Sequence, residues 1–160
     1  MIAELPVALV PILGGLAAVF LPPPARRWWL LALACATFAA LVALDPGTSA
    51  RLALFGFELE PVRVDRLSLL FAYIFCIAAF LNVLFAWHAM GGIEQPAGMV
   101  YAGAAIGAVF AGDLLTLFMY WEATAVASAL VIWAHRTDRA WRAGMRYIVV
   151  QLASGMLLAA

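Results

Sequence analysis

The chain is 160 residues long, 68% hydrophobic and 11% charged, with zero formal net charge and a mean hydropathy of +1.05. Soluble domains are nearer half apolar and a quarter charged, so this composition excludes an ordinary water-soluble domain and indicates an integral membrane protein. Without a net basic charge there is no field to draw nucleic acid, which is excluded as a partner.

A helix needs about 20 apolar residues to cross roughly 30 Å of hydrocarbon. The first such run is 2–21, closed by Pro22-Pro23-Pro24 and then Arg26-Arg27. No basic leader or clear cleavage site precedes it, so it is read as a retained helix. The second run, 28–44, stops at Asp45-Pro46-Gly47. In the 45–66 connection, apolar residues alternate (Leu52, Leu54; Phe57, Leu59; Val62, Val64), and Gly56 and Pro61 offer turns. That alternation predicts a small β-hairpin, with an ordered loop packed on the helix ends as the alternative. The third run is 67–88 and the fourth, 97–111, is short and rich in Gly and Ala. The fifth is 113–135 and the sixth 143–160. The end of the sixth carries no stop signal, cap or flanking charge, so the chain is expected to be the N-terminal portion of a longer subunit, forming a single transmembrane domain over 1–160, or else to pack against something that replaces the missing part. The expected fold class is therefore an all-α polytopic membrane protein with about six transmembrane helices.

All nine cationic residues are arginines. With alternating crossings, Arg26, Arg27, Arg136, Arg139, Arg142 and Arg146 fall on one side of the membrane. Arg51, Arg63 and Arg66 fall on the other, mixed with Asp45, Glu58, Glu60 and Asp65. Arginine excess marks the cytoplasmic side, which puts the N-terminus and the 45–66 connection outside. Cys35 and Cys76 lie within apolar runs and read as buried small hydrophobes with no disulfide. His88 and His135 each follow a helix on the arginine-rich side, where interfacial histidines are common. Two histidines cannot build a metal cluster, and no CxxC, HExxH, GxGxxG or phosphate-loop pattern occurs. No cofactor, metal or catalytic site is expected.

The fifth run holds the one conspicuous anomaly. Asp113 sits at its start, where an acid suits the positive helix end. Glu122 lies nine residues further on, about 13 Å into a layer of ~30 Å. A charge at that depth costs from about 2.5 to more than 10 kcal/mol, depending on the reference state. Such an acid must face the protein interior or water, either protonated or beside a cation, and marks a functional site by default. Leu115, Met119, Val126, Ala129 and Trp133 project to roughly the same side of the helix, with Phe118 and Ala125 near. Thr124 and Ser128 project away and are expected to bond backbone or a neighbouring helix. The competing reading of Glu122 is a neutral, hydrogen-bonded pin between two helices. On the sixth helix Arg142 and Arg146 share a face; Arg146 is the deeper and is followed by Tyr147, Gln151 and Ser154.

Three stretches carry a family resemblance. G-D-L-L-T-L-F-M-Y-W-E (112–122) resembles the fifth-helix signature of the antiporter-like subunits of respiratory complex I and of multi-subunit cation/proton antiporters. W-R-A-G-M-R-Y-I-V-V-Q-L-A-S-G (141–155) is similar to that family's sixth-helix entry, and V-D-R-L-S-L-L-F (64–71) to the start of its third helix. The pattern leans towards the D-type subunit of Na⁺/H⁺ antiporters. The resemblance implies a longer fold of two inverted repeats, each with a broken helix holding a membrane-embedded lysine. It also implies that Glu122 pairs with such a lysine, which residues 1–160 do not contain. Arg146 stands where the family usually has lysine; arginine keeps the charge but does not release a proton, which leaves it an electrostatic role.

The expectation for function is proton or Na⁺/H⁺ translocation as a subunit of a larger complex, with an NADH-quinone oxidoreductase-type complex among the candidates, and with Glu122 and Arg146 as ion-translocation residues. Its partners would be other membrane subunits and the lipid bilayer, in a bacterial inner membrane. The alternative is a non-transporting scaffold or assembly subunit in which Glu122 is a structural pin.

Overall fold

The computed structural model describes residues 6–54, 57–88 and 92–159. Within them six helices and one hairpin follow the order α1 (Leu9–Ala18), α2 (Pro23–Val42), β1 (Ser49–Leu54), β2 (Phe57–Arg63), α3 (Arg66–Phe85), α4 (Glu94–Phe110), α5 (Leu114–Trp133) and α6 (Asp138–Ala159). The expected all-α membrane architecture with a small hairpin is the one formed. The start of the first run, the hairpin tip at 55–56, residues 89–91 and Ala160 lie outside the described residues.

The differences from the sequence expectation are at the boundaries, and each has a local cause. Prolines 22–24 do not merely close the first helix. Pro22 is the extended N-cap of α2, and Pro23 and Pro24 occupy its first turn, where the missing N–H is not needed. The second helix therefore begins at Pro23 rather than Trp28. Helix α4 starts at Glu94 rather than 97, again with a proline, Pro96, in its first turn. Helix α6 starts at Asp138 rather than 143 because its opening turns are polar. There the Thr137 hydroxyl accepts from the Ala140 N–H at 3.1 Å. Hydropathy cannot see such a start; a cap and an amphipathic face can set it.

Three 20-residue helices, α2, α3 and α5, are long and apolar enough to cross a membrane by length and composition. At 1.5 Å per residue each spans about 30 Å, the thickness of the hydrocarbon layer. The described α1 is shorter, with 10 residues, and α4 has 17. The 22-residue α6 is diluted by Asp138, Arg139, Arg142 and Arg146.

Helix α4 lies at the centre, packed against α1, α3 and α5, while α6 packs on α5. Its Gly and Ala residues explain this position: Ala102, Gly103, Ala104, Ala105 and Gly107 are all buried, so neighbouring backbones approach closely. One apolar cluster joins Leu41, Val62, Val64, Leu69, Ile106 and Phe110 at the hairpin end of the bundle. A second joins Leu30, Leu33, Val83, Met99 and Ala102 at the opposite end. Cys76 is buried in the first, as its apolar run implies. Cys35 is exposed on α2, contrary to expectation, because a lipid-facing helix flank is as apolar as a core-facing one; both thiols are free.

The hairpin pairs Ser49 with Arg63 and Leu54 with Phe57, and its register shifts between Ala50 and Leu52. The shift places the extra residue of β2 around Glu60-Pro61. A proline cannot donate to the ladder, so a bulge accommodates it. The hairpin leads into α3 through a reciprocal cap: the Ser68 N–H donates to the Asp65 carboxylate at 2.7 Å, and the Asp65 N–H to the Ser68 hydroxyl at 2.9 Å.

At the other end Arg26 ties three segments together. Its guanidinium donates to the carbonyls of Ala18 (3.0 Å; this one also accepts from the Leu21 N–H), Val19 (3.3 Å) and Leu21 (3.0 Å) at the end of α1, and to Gly92 before α4 (2.8 Å). Arg26→Ala is expected to destabilise the fold by about 2–4 kcal/mol, since four charge-assisted bonds to carbonyls at the helix ends are lost. Arg26→Lys recovers only part, because one ammonium cannot span the fork. Thermal unfolding of the full-length protein in detergent measures both.

Candidate functional site

Glu122 is the ninth of the 20 residues of α5, at mid-helix as the sequence predicts. Its side chain crosses to α6 and presses on Gly155, where a β-carbon would collide with the carboxylate Oε1 and lie 3.2 Å from the Glu122 Cδ and from Phe118. Both carboxylate oxygens are buried, and neither has a hydrogen-bond partner among the described residues. Native proteins leave few buried polar groups unpaired, so an orphaned carboxylate demands an explanation. Beside it on α5, Ala125 and Ala129 are buried, whereas Leu115, Met119 and Val126 are exposed. The carboxylate thus sits at the edge of the α5–α6 seam.

The Glu122 carboxylate is not paired with Arg146. Arg146 is exposed and lies nine residues before Gly155, about 13 Å along α6. The expected polar line along α6 is also rearranged. Tyr147, Gln151 and Gly155 share the face turned to α5, while Ser154 is exposed. Thr124 and Ser128 behave as expected of residues outside the site: their hydroxyls donate to the Trp121 carbonyl at 2.6 Å and the Thr124 carbonyl at 2.9 Å. His88 and His135 are exposed after their helices. Among the described residues no group of three His, Cys, Asp or Glu side chains could hold a metal.

Asp113 does more than complement a helix dipole. Its carboxylate accepts from the Thr116 N–H (2.8 Å) and hydroxyl (2.6 Å) and also from the Glu60 N–H (2.7 Å). The Gly112 N–H returns a bond to the Glu60 carbonyl at 2.8 Å. One acid thus caps α5 and fastens the hairpin to the α4–α5 turn. Burial pushes its carboxyl up, but the bonds from the Thr116 hydroxyl, the Thr116 N–H and the Glu60 N–H outweigh it and leave it below the ordinary value. A carboxyl lowered on folding stabilises the fold above its unfolded value, about 3.9, and that stabilisation fades as pH falls through the lower folded value. The latch is therefore insensitive to pH near neutrality and loosens only in strong acid. Asp113→Ala is expected to cost about 1–3 kcal/mol and to speed hydrogen exchange at Glu60 and Thr116, which mass spectrometry of exchanged peptides reads.

Sequence reasoning did not single out two features. Gly155, the seat of the carboxylate, was legible only as the last residue of the 141–155 stretch. The other is a cavity of about 540 Å³ among α3, α4, α5 and α6, lined by Asn82, Glu94, Gln95, Tyr101, Ser128 and Tyr147 and by apolar walls. Gln95 is 7% exposed, and its carbonyl oxygen has no partner among the described residues. In the sequence Gln95 looks like an ordinary helix start.

The family described as NADH:quinone oxidoreductase/Mrp antiporter, TM, matches residues 111–160, the segment containing Glu122, Arg146 and Gly155. A curated relative from Rhizobium meliloti (strain 1021), named as a probable K(+)/H(+) antiporter subunit, is 28% identical over 168 residues, spanning 93% of this chain and 16% of that protein. Among solved structures, a chain of the membrane-bound sulfane sulfur reductase, an archaeal respiratory membrane complex, superposes with a TM-score of 0.73 at 25% identity. That match covers 98% of this chain and 27% of the other. The chain thus spans well under a third of the length of either relative. A mid-helix acid in the matched segment, a shared helical architecture along the whole chain and a curated relative of the same kind converge: residues 111–160 match the NADH:quinone oxidoreductase/Mrp antiporter family, and the chain as a whole is similar to antiporter-like, complex I-type membrane subunits.

Proposed function

We propose that the chain is the N-terminal transmembrane portion of an ion-translocating antiporter-like subunit, with Glu122 as its mid-membrane proton carrier. The observation that carries this is the carboxylate itself, buried at mid-helix with both oxygens unpartnered. Leaving a buried carboxylate without a donor is costly, so this position calls for a cation or water to reach it during the cycle. A cationic group that moves towards and away from the α5–α6 seam would therefore drive proton release and uptake at one atom. The exposed stripe of Leu115, Met119 and Val126 leaves room beside the acid for the element bearing that group. Arg146 stays charged and shapes the field along α6 without passing a proton.

In this reading the transported species is the proton. The curated relative's K(+)/H(+) wording and the Na⁺/H⁺ type of the resembled subunits make a monovalent cation the counter-substrate. The partners are other membrane subunits, the location is a bacterial inner membrane, and the arginine-rich face is cytoplasmic with the N-terminus outside. A scaffold in which Glu122 is merely a pin needs a hydrogen bond to do the pinning. Neither carboxylate oxygen has one among the described residues, which favours transport. The test is Glu122→Gln and Glu122→Ala in the assembled complex, with proton flux into vesicles as the readout. Full flux in both variants, with normal assembly, overturns the proposal.

A further inference from the structure

Four arginines against one aspartate crowd residues 136–146, at the turn from α5 to α6. Among the described residues none of these arginines pairs with a carboxylate. Arg136, Arg139 and Arg142 are exposed, and Arg136 holds a left-handed backbone with φ of 49°, unusual for a side chain of its size. Arg139, Arg142 and Arg146 follow one another at helical spacing, forming a stripe about 10 Å long.

Aromatic rings fix the depth of this turn. Trp133 and Trp141 stack with centroids 4.9 Å apart, and the Trp133 indole donates to the Trp141 carbonyl at 3.3 Å. At the same end of the bundle Trp28 meets Trp87 edge to face at 5.1 Å. Tryptophans gathered at one end of a helical bundle mark the headgroup layer. The stranded arginines therefore lie where lipid phosphates lie.

The turn is also shaped to take a lipid. A cavity of about 360 Å³ opens between the two helices. Its walls are Val131 and Ile132 of α5 with Ala140 and Ala143 of α6; its rim is His135, Thr137 and Arg139. The Thr137 oxygen already accepts from Ala140, which leaves its proton to donate outward. A polar, cationic rim above an apolar slot fits an amphiphile whose head is a phosphate and whose tail is a hydrocarbon.

We propose that the α5–α6 turn is a binding site for an anionic glycerophospholipid, its phosphate held by Arg139, His135 and Thr137 and its acyl chain laid over Val131 and Ala143. Arg142 and Arg136 supply the extra positive charge that selects an anionic over a zwitterionic headgroup. The lipid would brace α6, whose described partner is α5, and so steady the Gly155 seat further along the same helix. The site stands independently of whether Glu122 carries protons.

The test uses the full-length protein in phosphatidylcholine vesicles doped with bromine-labelled phosphatidylglycerol or bromine-labelled phosphatidylcholine. Bromine quenches nearby tryptophan, and the share of quenching removed by Trp141→Phe reports this turn. Brominated phosphatidylglycerol is expected to quench that share at lower mole fraction than the zwitterionic lipid. Arg139→Gln should weaken the preference about fivefold and Arg139→Gln with Arg142→Gln further, while Arg51→Gln in the hairpin changes nothing. Equal quenching by the two lipids in the unaltered protein overturns the proposal, and needs no variant to fold. Displacement by millimolar inorganic phosphate also overturns it, since the site would then hold a free anion and not a lipid.

Discussion

Glu122→Gln is expected to lower proton flux through the assembled complex about a hundredfold, in the range typical for removing a positioned proton-transfer group. The substitution keeps the shape of the side chain and removes only its ability to exchange a proton. The buried carboxylate has no described hydrogen bonds to lose, so the fold has little to lose with it. Glu122→Gln should therefore assemble normally and unfold at an unchanged temperature. Glu122→Asp keeps the acid but shortens its reach to the α6 face, and should retain part of the flux. A stable, fully active Glu122→Gln variant would return the acid to a structural role.

Gly155→Val is the second large effect. A β-carbon at 155 collides with the Glu122 carboxylate and comes to 3.2 Å from Phe118, so either the acid changes rotamer or α6 moves away from α5. Overpacking of this kind costs about 1–3 kcal/mol. On the proposed role of Glu122, the functional loss should exceed the stability loss, because displacing the carboxylate by an ångström or more would take it off its proton path. Gly155→Ala should show the same pattern at smaller size. Ser154→Ala, one residue away and exposed, should leave both stability and flux unchanged. Equal flux in Gly155→Val and the unaltered protein, with α6 in place, would show that the seat does not matter.

Much of this was written in local chemistry. Six apolar runs broken by Pro, Gly and charges become six helices, because each run must bury or shield its backbone within itself. The alternation in 49–63 becomes a hairpin. The depth of Glu122 follows from counting residues along α5. Boundaries were less legible wherever a helix opens with polar or proline residues, at Pro23, Glu94 and Asp138, since hydropathy marks where a helix is greasy and not where it begins.

The sequence by itself determined the membrane class, the excess of arginines at one end and the acid at mid-span. These depend on composition and on residue spacing within single helices. Only the tertiary structure decided that Glu122 rests on Gly155, that Arg146 does not pair with it, and that Asp113 reaches the hairpin. Those relations join residues far apart in the chain. They are fixed by which small residues allow two helices to touch, and no periodicity within one helix can specify its neighbour.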